Sequence, residues 1–352
     1  LSSLLGMLNP QNDIVKPIVN EVVSKRIPLT GTFELTRRCN FSCLYCYQQN
    51  CRHTEELTTK EWTSIIDQIT DAGCKFVNFT GGEPLLRDDF ERIYEYAFNK
   101  GLLLRIKTNG SLISTSHIEL WRRLPPVGVS ISLYGKSPET YKNFCGVESA
   151  YETVMGAIAQ LKTNHIEVYT TFVAGRHNYK DTHALYDMVS GMGVPFHLFS
   201  NLTPCDNGDL RPLEESLPIE ERSSLLKWFY AKQPVDWDAV SSLWVNNVRR
   251  CFAGLAAYHV VSTGEMILCP MAPAPSFPVY KGGFLKAWGK LYEARLKLIE
   301  VETKCGRCGH RAVCGMCAPN IDMRSSKGEP PKEHCLNGKR LHQMLRQEGI
   351  LL

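Results

Sequence analysis

Between residues 31 and 199 short apolar, β-branched runs alternate with longer amphipathic ones, and this alternation restricts the fold more than any other feature of the chain. Residues 31–36, 76–79, 102–107, 127–133, 166–173 and 194–199 read as strands. Residues 58–72, 88–99, 117–123, 153–161 and 180–190 read as the helices between them. The first of these helices has Thr58 or Thr59 as its N-cap and Glu61 in its opening turn, and the second closes at Gly101. Strands separated by helices predict an α/β fold with a parallel sheet and right-handed crossovers. Functional loops in such folds gather at the carboxyl ends of the strands.

The loop after the first strand holds Cys39, Cys43 and Cys46 in a C-x3-C-x2-C spacing. Three thiolates on one loop are one short of the four that normally hold a [4Fe–4S] cluster. The missing ligand leaves an open metal position at which a small molecule can bind. A structural zinc loop or chance clustering accounts for the same three residues. The second strand ends in Thr80-Gly81-Gly82-Glu83-Pro84. Paired glycines lack a Cβ and let backbone come close to a ligand, and Glu83 offers a carboxylate to a cation such as an amino acid's amino group. On its own, this motif is an ordinary strand-end turn.

Together the two motifs resemble those of radical S-adenosylmethionine (radical SAM) enzymes. The resemblance extends to Tyr45 just before the last cysteine, to Lys107-Thr108-Asn109-Gly110 and to Ser130-Ile131-Ser132-Leu133-Tyr134-Gly135. It implies a partial (β/α)6 TIM-type barrel and S-adenosyl-L-methionine as cofactor, cleaved by one electron to a 5′-deoxyadenosyl radical. By the same resemblance Cys39, Cys43 and Cys46 hold the cluster. Glu83 with Gly81 and Gly82 receives the methionyl amino group, Tyr45 packs near the adenine, Asn109 belongs to the cofactor site and Ser132 contacts the ribose. The cofactor supplies the radical chemistry, and the protein orients it and excludes competing reactions.

Of fourteen cysteines in 352 residues, seven fall within the eighty-five residues from Cys251 to Cys335. A secreted disulfide scaffold fits poorly, because such scaffolds are small and residues 1–9 show neither a basic n-region nor a long apolar core. A zinc ribbon on Cys305-x2-Cys308 and Cys314-x2-Cys317 is an alternative. The whole pattern, including Gly264-x4-Cys269, resembles the SPASM extension of radical SAM peptide-modifying enzymes, a small cysteine-rich domain that holds two auxiliary [4Fe–4S] clusters. That implies three clusters in all. Cys305, Cys308, Cys314 and Cys335 fully ligate the outer auxiliary cluster, and Cys251, Cys269 and Cys317 give three ligands to the inner one. The last gap is two residues rather than the usual three, and Ala257 stands where some relatives carry another cysteine. The inner cluster therefore has an open iron, for a substrate thiolate or another ligand. Cys51, Cys74, Cys145 and Cys205 remain, with Cys74 expected in the core.

The expected organisation is an extension over 1–30, the barrel over 31–200, a linker and bridging helix over 201–245, and the SPASM domain with a closing helix over 246–352. A net charge of +4 with no long basic run argues against nucleic acid, and no apolar stretch suits a membrane span. Cluster cysteines imply a reducing cytoplasm. The resemblance points to a peptide maturase that takes hydrogen from a ribosomally made precursor peptide and forms a thioether or other crosslink. Its reductant would be a flavodoxin or ferredoxin, and the leader would be bound by the barrel, the SPASM region or a separate partner protein. The alternatives are a sulfatase-maturing, formylglycine-generating enzyme and a small-molecule radical SAM dehydrogenase or epimerase. Asp206, Asp209, Tyr134 and His177 are candidates for a general base, none of them assigned.

Overall fold

A computed structural model describes residues 15–48, 55–233, 235, 237, 244–245, 248–249, 251–299, 305, 308–314, 317, 319, 321 and 329–351. Strands β1 (Thr30–Glu34), β2 (Phe76–Thr80), β3 (Leu103–Thr108), β4 (Gly128–Leu133), β5 (Val168–Val173) and β6 (Phe196–Phe199) pair in chain order, all parallel. After α1 (Val15–Ser24), the helices are α2 (Thr59–Asp71), α3 (Phe90–Asn99), α4 (Thr115–Arg123), α5 (Pro138–Cys145), α6 (Ala150–Thr163), α7 (Thr182–Gly191) and α8 (Ile219–Lys232). The alternation expected from the sequence is therefore present, with boundaries moved by a few residues.

Two helix starts show their local cause plainly. Thr58 caps α2 and forms a capping box with Glu61. Helix α5 was not anticipated, yet its signals are plain: Ser137 caps it, Pro138 is its first residue and Gly146 closes it in the left-handed region. The helices cover one face of the sheet. Val129, Ile131 and Leu133 of β4 point to that face and are fully buried, while Ser130 and Ser132 point to the other. Trp62, Ile65, Ile66 and Ile69 seat α2 there, each large apolar side chain contributing roughly 1.5–3 kcal/mol.

Three strands of the cysteine-rich region extend the barrel sheet. After a short hairpin, β7 (Trp244–Val245) with β8 (Val248–Arg249), strand β9 (Ala257–Val260) pairs parallel with β1, Thr30 opposite Ala257 and Phe33 opposite Val260. Strands β10 (Glu265–Ile267) and β11 (Phe277–Pro278) add antiparallel outside it and complete a nine-stranded sheet. Helices α9 (Phe284–Ile299), α10 (Arg311–Cys314) and α11 (Lys332–Gln347) follow. Helix α11 lies against α8 and α10. The stretch from 201 to 218, read as a linker or surface loop, is packed instead: Cys205 is fully buried, and Leu202, Glu215 and Leu217 are nearly so. No helix among the described residues is long and apolar enough to cross a membrane.

Candidate active site

The chain leaving β1 is gripped from both sides. Leu35 N–H donates to Thr80 O (2.8 Å), Gly82 N–H to Thr36 O (2.8 Å) and Glu83 N–H to Arg38 O (2.8 Å). A Cβ on Gly81 would stand 2.4 Å from Thr36 O, and one on Gly82 would stand 2.3 Å from Arg38 O. The close approach that demands these glycines is thus made by the chain entering the cysteine loop.

Glu83 is held on every side by its neighbours. It is fully buried. Its Oε1 accepts from Leu85 N–H (3.1 Å) and the Thr108 hydroxyl (2.8 Å), and its Oε2 accepts from Asn109 N–H (2.7 Å). Burial pushes its carboxyl up to about 7, against the pull of those three donors. Both oxygens are engaged by the protein, and the side chain fastens the loop after β2 to the loop after β3. Asn109 is also committed. Its Nδ2 donates to Asn40 Oδ1 (2.9 Å), and its Oδ1 accepts from Ser111 N–H (2.9 Å) and Oγ (2.7 Å). The loops after β1, β2 and β3 are therefore one hydrogen-bonded unit.

The cysteine loop rests on the end of α5. Ser42 N–H donates to Cys145 O (3.0 Å) and Leu44 N–H to Phe144 O (3.1 Å). Cys43 is buried, while Cys39 and Cys46 are partly exposed. Tyr45 stacks on Tyr134 (6.4 Å between centroids) and tilts against Phe144 (5.1 Å). The Tyr134 hydroxyl hydrogen-bonds Cys43. Burial drives the Cys43 thiol well above its ordinary range, and the nearby Cys46, Cys145 and Cys39 add to it. Among the described residues no three Cys, His, Asp or Glu side chains close around a single ion. Three mutually repelling sulfurs on one buried loop suit a larger positive centre, which would relieve the repulsion, so the donor set fits an iron–sulfur cluster.

Below this loop the inner face of the barrel is polar and basic. Lys107 lies beside Ser130, Ser132 beside Thr171, and Thr171 beside His197. Arg105 is nearly fully buried, its guanidinium 4.9 Å from the Tyr169 ring centroid. Burial and the charge of Arg105 lower both Lys107 and His197. The inward pair Arg105 and Lys107, two apart on β3, went unnoticed in the sequence, although period-two spacing signals it.

Around the loop's exit, Arg37 pairs with Glu34 (2.9 Å) and with Asp206 (2.8 Å), and Asp206 N–H donates to Tyr47 O (3.1 Å). Asp206 therefore anchors the 201–218 segment. Asp209 pairs with Arg211 (2.7 Å), and the exposed His177 pairs with Glu215 (2.8 Å). Of the four base candidates, Tyr134 is set against Cys43. Cys74 is core, its thiol accepting from Tyr258 Oη (3.3 Å) and pushed up to about 11 by burial. Cys145 is fully buried and likewise pushed up to about 11. Cys51 lies outside the described residues.

In the second cysteine set, Cys269 feels Cys251 first and Cys317 as well, and with burial leading it is pushed up to about 12. These remote residues are thus brought together. Cys314 ends α10, and a Cβ on Gly338 of α11 would meet its Sγ at 3.3 Å. Cys335 sits one turn before Gly338, so α11 carries it toward Cys314. Cys308 N–H donates to Cys305 O (3.2 Å), which folds that pair into one turn.

Residues 33–189 match the family model described as the radical SAM superfamily. The chain carries a radical SAM domain over these residues. It is similar to the AdoMet-dependent heme synthase of Methanosarcina barkeri, with 24% identity over 82% of this chain and 91% of that protein. It is also similar to the mycofactocin maturase MftC of Mycobacterium ulcerans, with 26% identity over 88% of each. SuiB of Streptococcus suis, solved with bound S-adenosylmethionine, shares the fold: TM-score 0.70 at 17% identity, covering 92% of this chain and 81% of SuiB.

Proposed function

We propose that this enzyme is a maturase of ribosomally made peptides that forms a thioether or other crosslink. The observation that carries the reading is the single hydrogen-bonded unit of the three strand-end loops, set over an open basic barrel face and joined through β9 to a second cysteine-rich site. Mycofactocin maturase and SuiB, which has also been solved with its precursor peptide SuiA, support a peptide substrate. Cys39, Cys43 and Cys46 hold a [4Fe–4S] cluster. Such a cluster would supply the one-electron reduction of S-adenosylmethionine on which hydrogen abstraction from the substrate depends.

The residues around it bind and orient. Glu83 with the Gly81–Gly82 backbone receives the methionyl amino group. Tyr45 borders the adenine, and Ser132 on the inner face meets the ribose. Cys305, Cys308, Cys314 and Cys335 hold an outer auxiliary cluster, and Cys251, Cys269 and Cys317 an inner one. A groove of about 570 Å³, bounded by Leu202, Leu213, Leu217, Arg176 and the start of α11, offers the peptide a seat.

The test is anaerobic incubation of the full chain with reductant, S-adenosylmethionine and the cysteine-containing peptide encoded beside it. The expected product is a peptide lighter by two hydrogens whose cysteine no longer alkylates. 5′-Deoxyadenosine without peptide change would overturn the peptide reading. A second reading, action on a carboxylated small molecule, is favoured by the basic wall of Arg105, Lys107 and His197 and by the heme synthase relatives. Turnover of an iron tetrapyrrole carboxylate in the same assay would establish it.

A further inference from the structure

Two arginines are buried in or against the cysteine-rich region, and neither feels a carboxylate among the described residues. Arg295 of α9 is 8% exposed; its Nη1 donates to Ala253 O (2.7 Å), its guanidinium hydrogen-bonds Cys251, and its Nε has no partner among the described residues. The loop after Cys251 is shaped around it. Gly254, at φ +75°, would place a Cβ 3.2 Å from the Arg295 Cβ.

Arg222 of α8 is 4% exposed. Its Nε donates to Ser200 Oγ (3.2 Å) and its Nη2 to Asn201 Oδ1 (2.7 Å), while its Nη1 has no partner among the described residues. Its helix packs against α11, which also packs on α10 and meets Cys314 at Gly338, and the charge of Cys314 reaches Arg222 there. A buried guanidinium without a counter-charge costs several kcal/mol. Neutral thiols do not offset that cost, whereas a polythiolate metal centre is an anion. The two arginines also sit on different cysteine sets, Cys251 with Cys269 and Cys317 in one case, Cys314 with the α11 contact in the other.

We infer that Arg295 and Arg222 are the dedicated counter-charges of two separate anionic iron–sulfur centres, one at Cys251 and the other at Cys314, and that each raises the reduction potential of its own centre. This rests on the auxiliary-cluster reading above. A cation beside a ligand sulfur favours the extra negative charge of the reduced cluster, and charge and hydrogen bonds to sulfur are the protein's means of setting such potentials. Both arginines are positioning residues, since they act through the cysteines.

The experiment uses the full chain with Cys39, Cys43 and Cys46 all changed to Ala, so that only the auxiliary centres contribute. Iron analysis tests the reading itself. About eight irons per chain are expected, and zinc or no metal would end both the reading and the inference. With iron present, an EPR-monitored redox titration tests the arginines. Arg295→Met should shift one signal and Arg222→Met the other, each toward negative potential. At a fixed poise the reduced-to-oxidised ratio should fall about tenfold, which for one electron is 59 mV. Arg295→Lys and Arg222→Lys keep the charge and should recover most of the shift. Unchanged potentials in the Met variants, or equal shifts of both signals by either one, would overturn the inference. Should a Met variant lose its iron, the Lys variant decides: retention with Lys supports a charge role, and loss from both refutes it.

Discussion

The two cysteine regions are built in opposite ways. Around Cys39, Cys43 and Cys46 the fastening is backbone to backbone, through Gly82 N–H on Thr36 O, Glu83 N–H on Arg38 O and Ser42 N–H on Cys145 O, and the donor to sulfur is the neutral Tyr134 hydroxyl. Around Cys251 and Cys314 arginine side chains reach between remote elements, Arg295 to the Ala253 carbonyl and Arg222 to Ser200 and Asn201, and the groups near sulfur are guanidiniums. A site drawn from one short loop can rely on rigid main chain. A site gathered from eighty-five residues depends on how α8, α9 and α11 dock. The first region should therefore be unforgiving of small changes in shape, and the second of changes in charge.

Functionally, the sharpest separation of the two regions is to empty one. Changing Cys39, Cys43 and Cys46 to Ala should abolish 5′-deoxyadenosine formation entirely. Iron should fall from about twelve to about eight per chain, with circular dichroism unchanged. Loss of all iron would show that the regions do not load independently.

A matched pair of glycines tests the shape side. Gly82→Ala forces a Cβ to 2.3 Å from the Arg38 carbonyl, which is main chain and cannot swing away. Overpacking typically costs about 1–3 kcal/mol, occasionally more, and this variant belongs at or above the top of that range, with loss of the first cluster. Gly338→Ala brings a Cβ to 3.3 Å from a cysteine Sγ at a helix-to-helix contact, which can open slightly. It should cost about 1 kcal/mol. Thermal melts of both variants decide, and equal losses would erase the distinction.

How far the sequence revealed each region follows from the same difference. The six strands, the capping box at Thr58 and the three-cysteine loop were legible because each depends on neighbours a few residues apart. The protein contacts of Glu83 and of Gly81–Gly82 were not legible, because the groups they meet, Thr108, Asn109, Thr36 and Arg38, come from other strands' ends. In the second region the cysteines could be sorted only by resemblance. The pairing of β9 with β1, and the burial of Arg222 and Arg295, depend on contacts far apart in sequence that no local pattern announces. Helix α5 is a different kind of omission, since Ser137, Pro138 and Gly146 spelled it out.

Glu83 gives the first region a pH signature. Burial raises its carboxyl from an ordinary value near 4.5 to about 7. The folded chain therefore holds that proton more tightly than the unfolded chain does. Its contribution to stability is complete below the unfolded value and is lost as pH rises through about 7. The stability difference between the parent and Glu83→Gln, from denaturant curves, should thus narrow between about pH 5 and about pH 8. At the acid end Gln should cost about 1–3 kcal/mol, because its amide N–H₂ opposes the N–H of Leu85 or Asn109. A difference that stays flat across that range would mean that Glu83 is ionised throughout, held by its three donors.

The smallest expected effect bears most directly on neutral against charged donors. The Tyr134 ring is held edge-on by Phe41 and Tyr141 and stacked by Tyr45, so Phe can replace it without disturbing the packing. What Tyr134→Phe removes is one neutral hydrogen bond to the Cys43 sulfur. Such a bond contributes about 0.5–1.5 kcal/mol, and only the part that strengthens on reduction affects the potential. The reduced-to-oxidised ratio of the first cluster at a fixed poise should therefore fall by about threefold or less, with iron content unchanged. A shift as large as that expected for Arg295→Met would mean that a buried hydroxyl tunes sulfur as strongly as a guanidinium does. The contrast between the two regions would then be one of architecture alone, without a difference in electrostatics.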